Sequence, residues 1–415
     1  MINNWFYILP FLFFSYLSYQ ALNKLKRTYV ENNNVLITKN YLPLLTISLY
    51  LLSSLLIVFV KPLQWYPYFH ESSYTFLNFL LYSVLLTIYL IPVLYMKPIY
   101  KENFIKRDKL LTLIMILMSI LGLYSIIYQF PYALKGLAIG ATELRQQMIL
   151  DNVYLLPQSP LTTLAVGISY FYLFYIGLFF VSIIQKRSVF IKISLFIGSL
   201  SYLVSGLAFA TRDVFIFYGI GFLFVFFYFI NILNQDTIKK VRLLYLLFIF
   251  ILVTFILSIS FQRFKDNSNE NLSFGTIGYI AQQPFVFSET ISEQKKFYEG
   301  HNRFPFFVSL FTDVKKVKAM TPYEWSFGTF IKDFYSTGGF FFLFFITILI
   351  VPIFYIKLRK NNETNFYRHM IITFFYFQFI TMGLFYFKLG SNAGNIYMVL
   401  LLLIYLSTYF KIKNS

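Results

Sequence analysis

In the stretch LAFATRDVFIF, Leu207 to Phe217, an arginine and an aspartate stand side by side between two long apolar runs. Two readings of Arg212 compete. It is an anchor that lays its stem along apolar surface and its head against lipid phosphate, or it grips a pyrophosphate, since a guanidinium meets phosphate oxygens bidentately, with Asp213 holding its orientation. Arg145, in ATELRQQMILDNVY, is open in the same way, between a solvated polar helix turn and a second cation folded over a ligand. In HNR, His301 to Arg303, an imidazole stands close to a guanidinium. The pair is either a solvated loop or a general base beside an anion clamp. Arg263, in SFQRFKD, reads as an interfacial anchor or a phosphate contact. His70, His301 and His369 are scattered with no ligand spacing on one helix face, so no metal is expected. No Gly-rich, Lys-containing nucleotide motif is present.

These residues are carried by a chain that is 58% hydrophobic, 22% aromatic and only 13% charged, with a mean hydropathy of +0.65. So much apolar side chain cannot be hidden inside a water-soluble domain of 415 residues. The fold expected is an all-α polytopic membrane protein. About 20 apolar residues cross roughly 30 Å of hydrocarbon as a helix, and continuous apolar runs without two-residue alternation argue against a barrel. About eleven spans are predicted, near residues 3–22, 41–60, 75–95, 110–129, 161–184, 191–208, 213–233, 243–260, 338–356, 370–387 and 394–410. Residues 1–415 are read as a single transmembrane domain with a first outer loop at 130–160 and a large outer loop, or cap, at 261–337.

The formal charge of +18 is distributed unevenly. Segments 23–40, 97–109, 185–192, 234–242, 357–369 and 411–415 hold most of the 35 Lys and Arg but few of the 17 Asp and Glu. Short basic loops resist translocation, so these segments are placed in the cytoplasm, with the N-terminus outside and the C-terminus inside. The high pI then follows from topology and attraction to anionic lipid, and nucleic acid is not needed as a partner. MINNWFYILPFLFFSYLSYQ lacks a basic start and a cleavage site and is read as a retained span. The absence of cysteine excludes disulfides and thiolate chemistry.

The cap carries helix signals of its own. TISE, Thr290 to Glu293, reads as a capping box that opens a polar helix ended by Gly300. Residues 308–318 read as a helix on the bilayer surface, with Leu310, Phe311, Val314 and Val317 on one face. TPYE, Thr321 to Glu324, reads as a further helix start leading to KDFYSTGG, where Gly338 and Gly339 allow a turn into the next span.

FATRDVFIF and TPYEWSFGTFIKDFYSTGGFFF, together with the whole-chain plan of many spans and one large late outer loop, resemble the bacterial oligosaccharide repeat-unit polymerases, the Wzy-type O-antigen and capsule polymerases. The resemblance implies a glycosyltransferase at the outer face of the bacterial cytoplasmic membrane, working without metal, nucleotide sugar or other cofactor. It would join oligosaccharide units carried on polyprenyl pyrophosphate, with membrane lipid, chain-length regulator and flippase proteins as partners. Pyrophosphate is already a good leaving group, so the protein must mainly neutralise its charge and deprotonate the acceptor hydroxyl. Arg212, Arg145, Arg303 and Arg263 are candidates for the first task, and His301, Glu289 and Asp333 for the second. Some members of the family carry an arginine, ten residues and a glycine in both outer loops. Here only Arg187 with Gly198 has that spacing, on the side assigned to the cytoplasm. An O-antigen ligase, a lipid-linked oligosaccharide flippase and a non-catalytic scaffold are the competing readings.

Overall fold

The computed structural model describes residues 5–30, 40–57, 73–99, 109–140, 143–144, 147–148, 153–265, 280–315, 327–359 and 366–409. Within them every regular element is a helix: α1 Leu9–Val30, α2 Leu42–Ile57, α3 Phe76–Leu90, α4 Lys109–Ile139, α5 Pro160–Ser169, α6 Tyr172–Ile184, α7 Val189–Ala208, α8 Asp213–Phe229, α9 Gln235–Lys265, α10 Gln283–Glu293, α11 Pro305–Val308, α12 Thr329–Arg359, α13 Phe366–Met382 and α14 Asn392–Ser407. Among the described residues four stretches are long and apolar enough to cross a membrane, namely Phe76–Tyr95, α4, α7 and α12, or five if α5 and α6, bent by 52° at residues 170–171, count as one. The eleven spans expected are not reached by that measure. The physical reason is visible in α2, α8 and α14, apolar helices of 16 or 17 residues that fall short of the roughly 20 needed to cross alone. Large apolar side chains such as Leu113, Ile127, Leu246, Phe250, Phe341 and Ile348 are exposed on α4, α9 and α12, as lipid-facing helices require.

The chain divides into two compact units. The first comprises 1–97, 270–361 and 375–391; the second comprises 98–269, 362–374 and 392–415. In the second, α4 and α7 cross closely at two glycines, where a Cβ on Gly122 would lie 2.7 Å from the Gly198 Cα. Arg187 donates to Thr112 Oγ1 at the start of both helices, and Gly136 meets the Leu207 carbonyl near their ends, so the two run parallel. At that first end Ile99 N–H bonds Tyr228 O, His369 bonds Tyr228 and Arg368 bonds Thr408. Three of the basic segments named above thus gather at one end of the unit. In the first unit Lys24 bonds Leu94 O and Asn40 bonds Met96 O, again basic segments brought to one end.

Two expectations for the cap are corrected. TISE closes α10 instead of opening a helix: Pro284 stands in the first turn of α10, and the Thr290 hydroxyl donates back to Val286 O in its last turn. No helix runs on from residue 308 to 315, where α11 gives way to turns and irregular chain in which Leu310 and Phe311 are exposed. Ala281, Phe285 and Val286 share a core with Leu9, Ile57, Tyr74 and Phe79. The TPYE start lies outside the described residues.

Candidate functional site

The element that organises the site is the first part of α12. Gly338 and Gly339 leave helical geometry, with φ of −161° and 67°, and divide α12 into a short helix, 329–337, and a long apolar one, 340–359. A Cβ on Gly339 would stand 2.8 Å from the Phe297 ring, so the kink is both open to glycine conformationally and closed to bulk. All nine residues of 329–337 are buried, Lys332 and Asp333 among them. Phe330 packs on Tyr89 and Phe379, and Phe334 on Phe342 and Phe387. A buried half-helix bearing two charges is costly unless those charges are engaged.

They are engaged with each other and with neighbours brought from far along the chain. Arg303 Nη2 donates to Asp333 Oδ1 at 2.7 Å, with the Arg303 side chain 19% exposed and Asp333 at 0%. Lys332 Nζ lies 3.7 Å from the same oxygen. The Phe387 N–H donates to Asp333 Oδ2 at 2.6 Å. That last donor exists because α13 stops at Met382, and the irregular stretch 383–391 turns its backbone inward: Gly383 O and Phe385 O accept from the first N–H groups of the half-helix. Arg303 is steered from the same stretch, since a Cβ on Gly390 would come within 2.7 Å of its Cδ. A sequence reading of 370–387 as one continuous span hides this unwinding.

The turn 298–304 completes the arrangement. Glu299 and Gly300 both have positive φ, 51° and 88°, and the N–H groups of Tyr298 and Glu299 donate to Ser336 O and Thr337 O, capping the half-helix C-terminus. His301 and Arg303 project from this turn. His301 is half-buried, and its Nδ1 accepts from the Lys315 N–H at 3.2 Å. Glu289 sits on α10 with no exposure and accepts from the Tyr74 hydroxyl at 3.1 Å. Close by, Asn78 donates to the Ser288 and Ser73 carbonyls, tying α10 to the start of α3.

Of the residues proposed from sequence, Arg303 and Asp333 are therefore brought into direct contact, with His301 two residues away on the same turn. No known protein family, curated protein or solved structure matches the chain. Arg212 and Asp213 belong to the second unit, at the junction of α7 and α8. There Thr211 N–H bonds Gly206 O and Ala210 N–H bonds Leu207 O, a Schellman closure with Ala210 at φ 50° in the place glycine usually takes. Asp213 is the first residue of α8, where the helix dipole favours a carboxylate. Leu144, next to Arg145, packs with Gly136 near the Leu207 carbonyl, so this loop reaches the end of the unit that holds Arg212. Arg145 itself lies outside the described residues, as does the Arg263 side chain. Among the described residues no group of His, Cys, Asp and Glu could hold a metal ion. Sequence reasoning missed Lys332, Gln294, Ser336 and the Phe387 N–H. The first and third had a signal: Thr329, Lys332, Asp333, Ser336 and Thr337 repeat at helical spacing, one polar face on a segment rich in aromatics.

Proposed function

We propose that the chain is a metal-independent membrane glycosyltransferase that joins oligosaccharide units carried on polyprenyl pyrophosphate, with the Arg303–Asp333 site at its outer face. The observation that carries this reading is a guanidinium, 19% exposed, held by a wholly buried carboxylate on a kinked half-helix. A fixed guanidinium at the rim of an apolar unit suits an anionic lipid headgroup. In the reaction the acceptor oxygen attacks the anomeric carbon, the bond from that carbon to the pyrophosphate oxygen breaks, and the electron pair leaves with the pyrophosphate, whose charge Arg303 neutralises. The acceptor proton goes to His301. Both Asp333 oxygens are already engaged and Glu289 is enclosed, so His301 is the better placed of the three, once its Nδ1 gives up the Lys315 N–H. Arg212 is retained as a phosphate-binding candidate at its own end of the second unit, where the basic segments are at the opposite end.

The eleven-span topology, with the N-terminus outside and the C-terminus in the cytoplasm, belongs to the same proposal, as do chain-length regulator and flippase partners. A second reading, a lipid-linked oligosaccharide flippase, is favoured by Lys332 and Asp333, charges set inside a helical unit. Deleting the gene and resolving surface glycan on a gel separates the two. A polymerase leaves a single capped repeat and loses long chains; a flippase, or an O-antigen ligase, loses all capped material. Arg303→Lys at normal protein level is expected to give the single-repeat pattern, and full-length chains from it would remove Arg303 from the site.

A further inference from the structure

We propose that Ser336 and Gln294 form a subsite for hydroxyl groups of the sugar attached to the lipid phosphate, an inference that rests on the reading of Arg303 as the phosphate grip. Thr329, Lys332, Asp333, Ser336 and Thr337 lie at helical spacing on one face of the 329–337 helix, and all are buried. Most of that face is used within the chain. Asp333 holds Arg303 and the Phe387 N–H, and the Thr337 hydroxyl donates to Asp333 O. Ser336 and Gln294 differ, as does Thr329 at the start of the half-helix, whose hydroxyl is likewise without a hydrogen-bond partner among the described residues. Gln294, 6% exposed, donates from Nε2 to Lys296 O and Ser336 O. Those two bonds fix the amide orientation and turn Oε1 to the remaining side. Among the described residues neither Gln294 Oε1 nor Ser336 Oγ has a hydrogen-bond partner, although buried polar atoms as a rule have one.

The chemistry of the two atoms selects the ligand. An amide oxygen only accepts, and a serine hydroxyl both donates and accepts, so together they suit groups that can donate. A sugar hydroxyl does; a bare pyrophosphate offers acceptors alone, and an isoprenoid chain offers neither. Ser336 follows Asp333 by three residues, about 4.5 Å of helix rise. That is the scale of the step from a glycosyl phosphate to the hydroxyls of its own ring.

The test uses the full-length chain in lipid nanodiscs and measures binding of undecaprenyl pyrophosphate, bare or bearing one glucose, galactose, N-acetylglucosamine or N-acetylgalactosamine. The wild type is expected to hold at least one glycosylated lipid roughly tenfold more tightly than the bare lipid. Ser336→Ala and the near-isosteric Gln294→Met should each reduce that margin and leave bare-lipid affinity unchanged, with melting temperature as the folding control. A margin absent from the wild type for every sugar, a margin both variants preserve (the two atoms then holding ordered water only), or a loss of bare-lipid binding in the variants overturns the subsite. Bare-lipid binding indifferent to Arg303→Ala overturns instead the phosphate reading beneath it.

Discussion

Two arginine-bearing turns, one in each unit, pair the same residue types and hold them differently. At 212–213 the arginine and aspartate are neighbours in sequence, and the aspartate begins a helix. At 303 the carboxylate comes from 30 residues further on and is wholly buried, with Lys332 and a backbone N–H sharing it. The pair that tertiary structure assembles is the one whose removal has large consequences.

The comparison is broken most severely at Asp333. Asp333→Ala leaves Lys332 and Arg303 without their shared carboxylate and is expected to cost about 3–5 kcal/mol, measured by thermal melting and by the amount of protein in the membrane. Equal losses from Asp213→Ala would erase the contrast between the turns. Next comes the hinge beneath the half-helix. Gly339→Val forces a branched side chain into φ 67°, ψ −160° against the Phe297 ring, and about 1–3 kcal/mol of destabilisation is expected in the same melt. Gly390→Ala is smaller. Its Cβ displaces the flexible Arg303 stem but also meets the Phe387 carbonyl oxygen at 2.8 Å, so a stability loss of about 1–2 kcal/mol should accompany fewer long glycan chains on the gel. Ala210→Gly works in the other direction, relieving a left-handed alanine at φ 50°, and should stabilise by roughly 0.5–1 kcal/mol. Arg212→Ala should leave stability within about 0.5 kcal/mol yet give the single-repeat pattern, and Arg212→Lys should be impaired too; normal chains from either favour the anchoring account.

Much of the helical architecture was legible in the composition, because long apolar runs have few other solutions. The kink at Gly338 and Gly339 was legible as well, since two successive glycines mark a turn. What the runs concealed was where helices stop inside the apolar matrix. Residues 383–391 are apolar enough to prolong α13, yet they unwind so that Phe387 N–H can reach Asp333. Residues 329–337 looked like an approach to a span and form a buried half-helix, because the hydropathy of a window does not record which side chains find partners. Arg303 and Asp333 were both named from sequence, but their contact depends on a turn at 298–304 held by backbone bonds that no local pattern announces.

The central claim is that the Arg303–Asp333 site opens away from the cytoplasm. The chain has no cysteine, so a single introduced thiol reports unambiguously. Ser309→Cys, on the exposed chain just past Arg303, and Arg359→Cys, at the far end of α12, should be treated in intact cells with a membrane-impermeant maleimide. Labelling at 309 in intact cells, with 359 reacting only after lysis, is the predicted result. Labelling at 359 with 309 protected until lysis would contradict it.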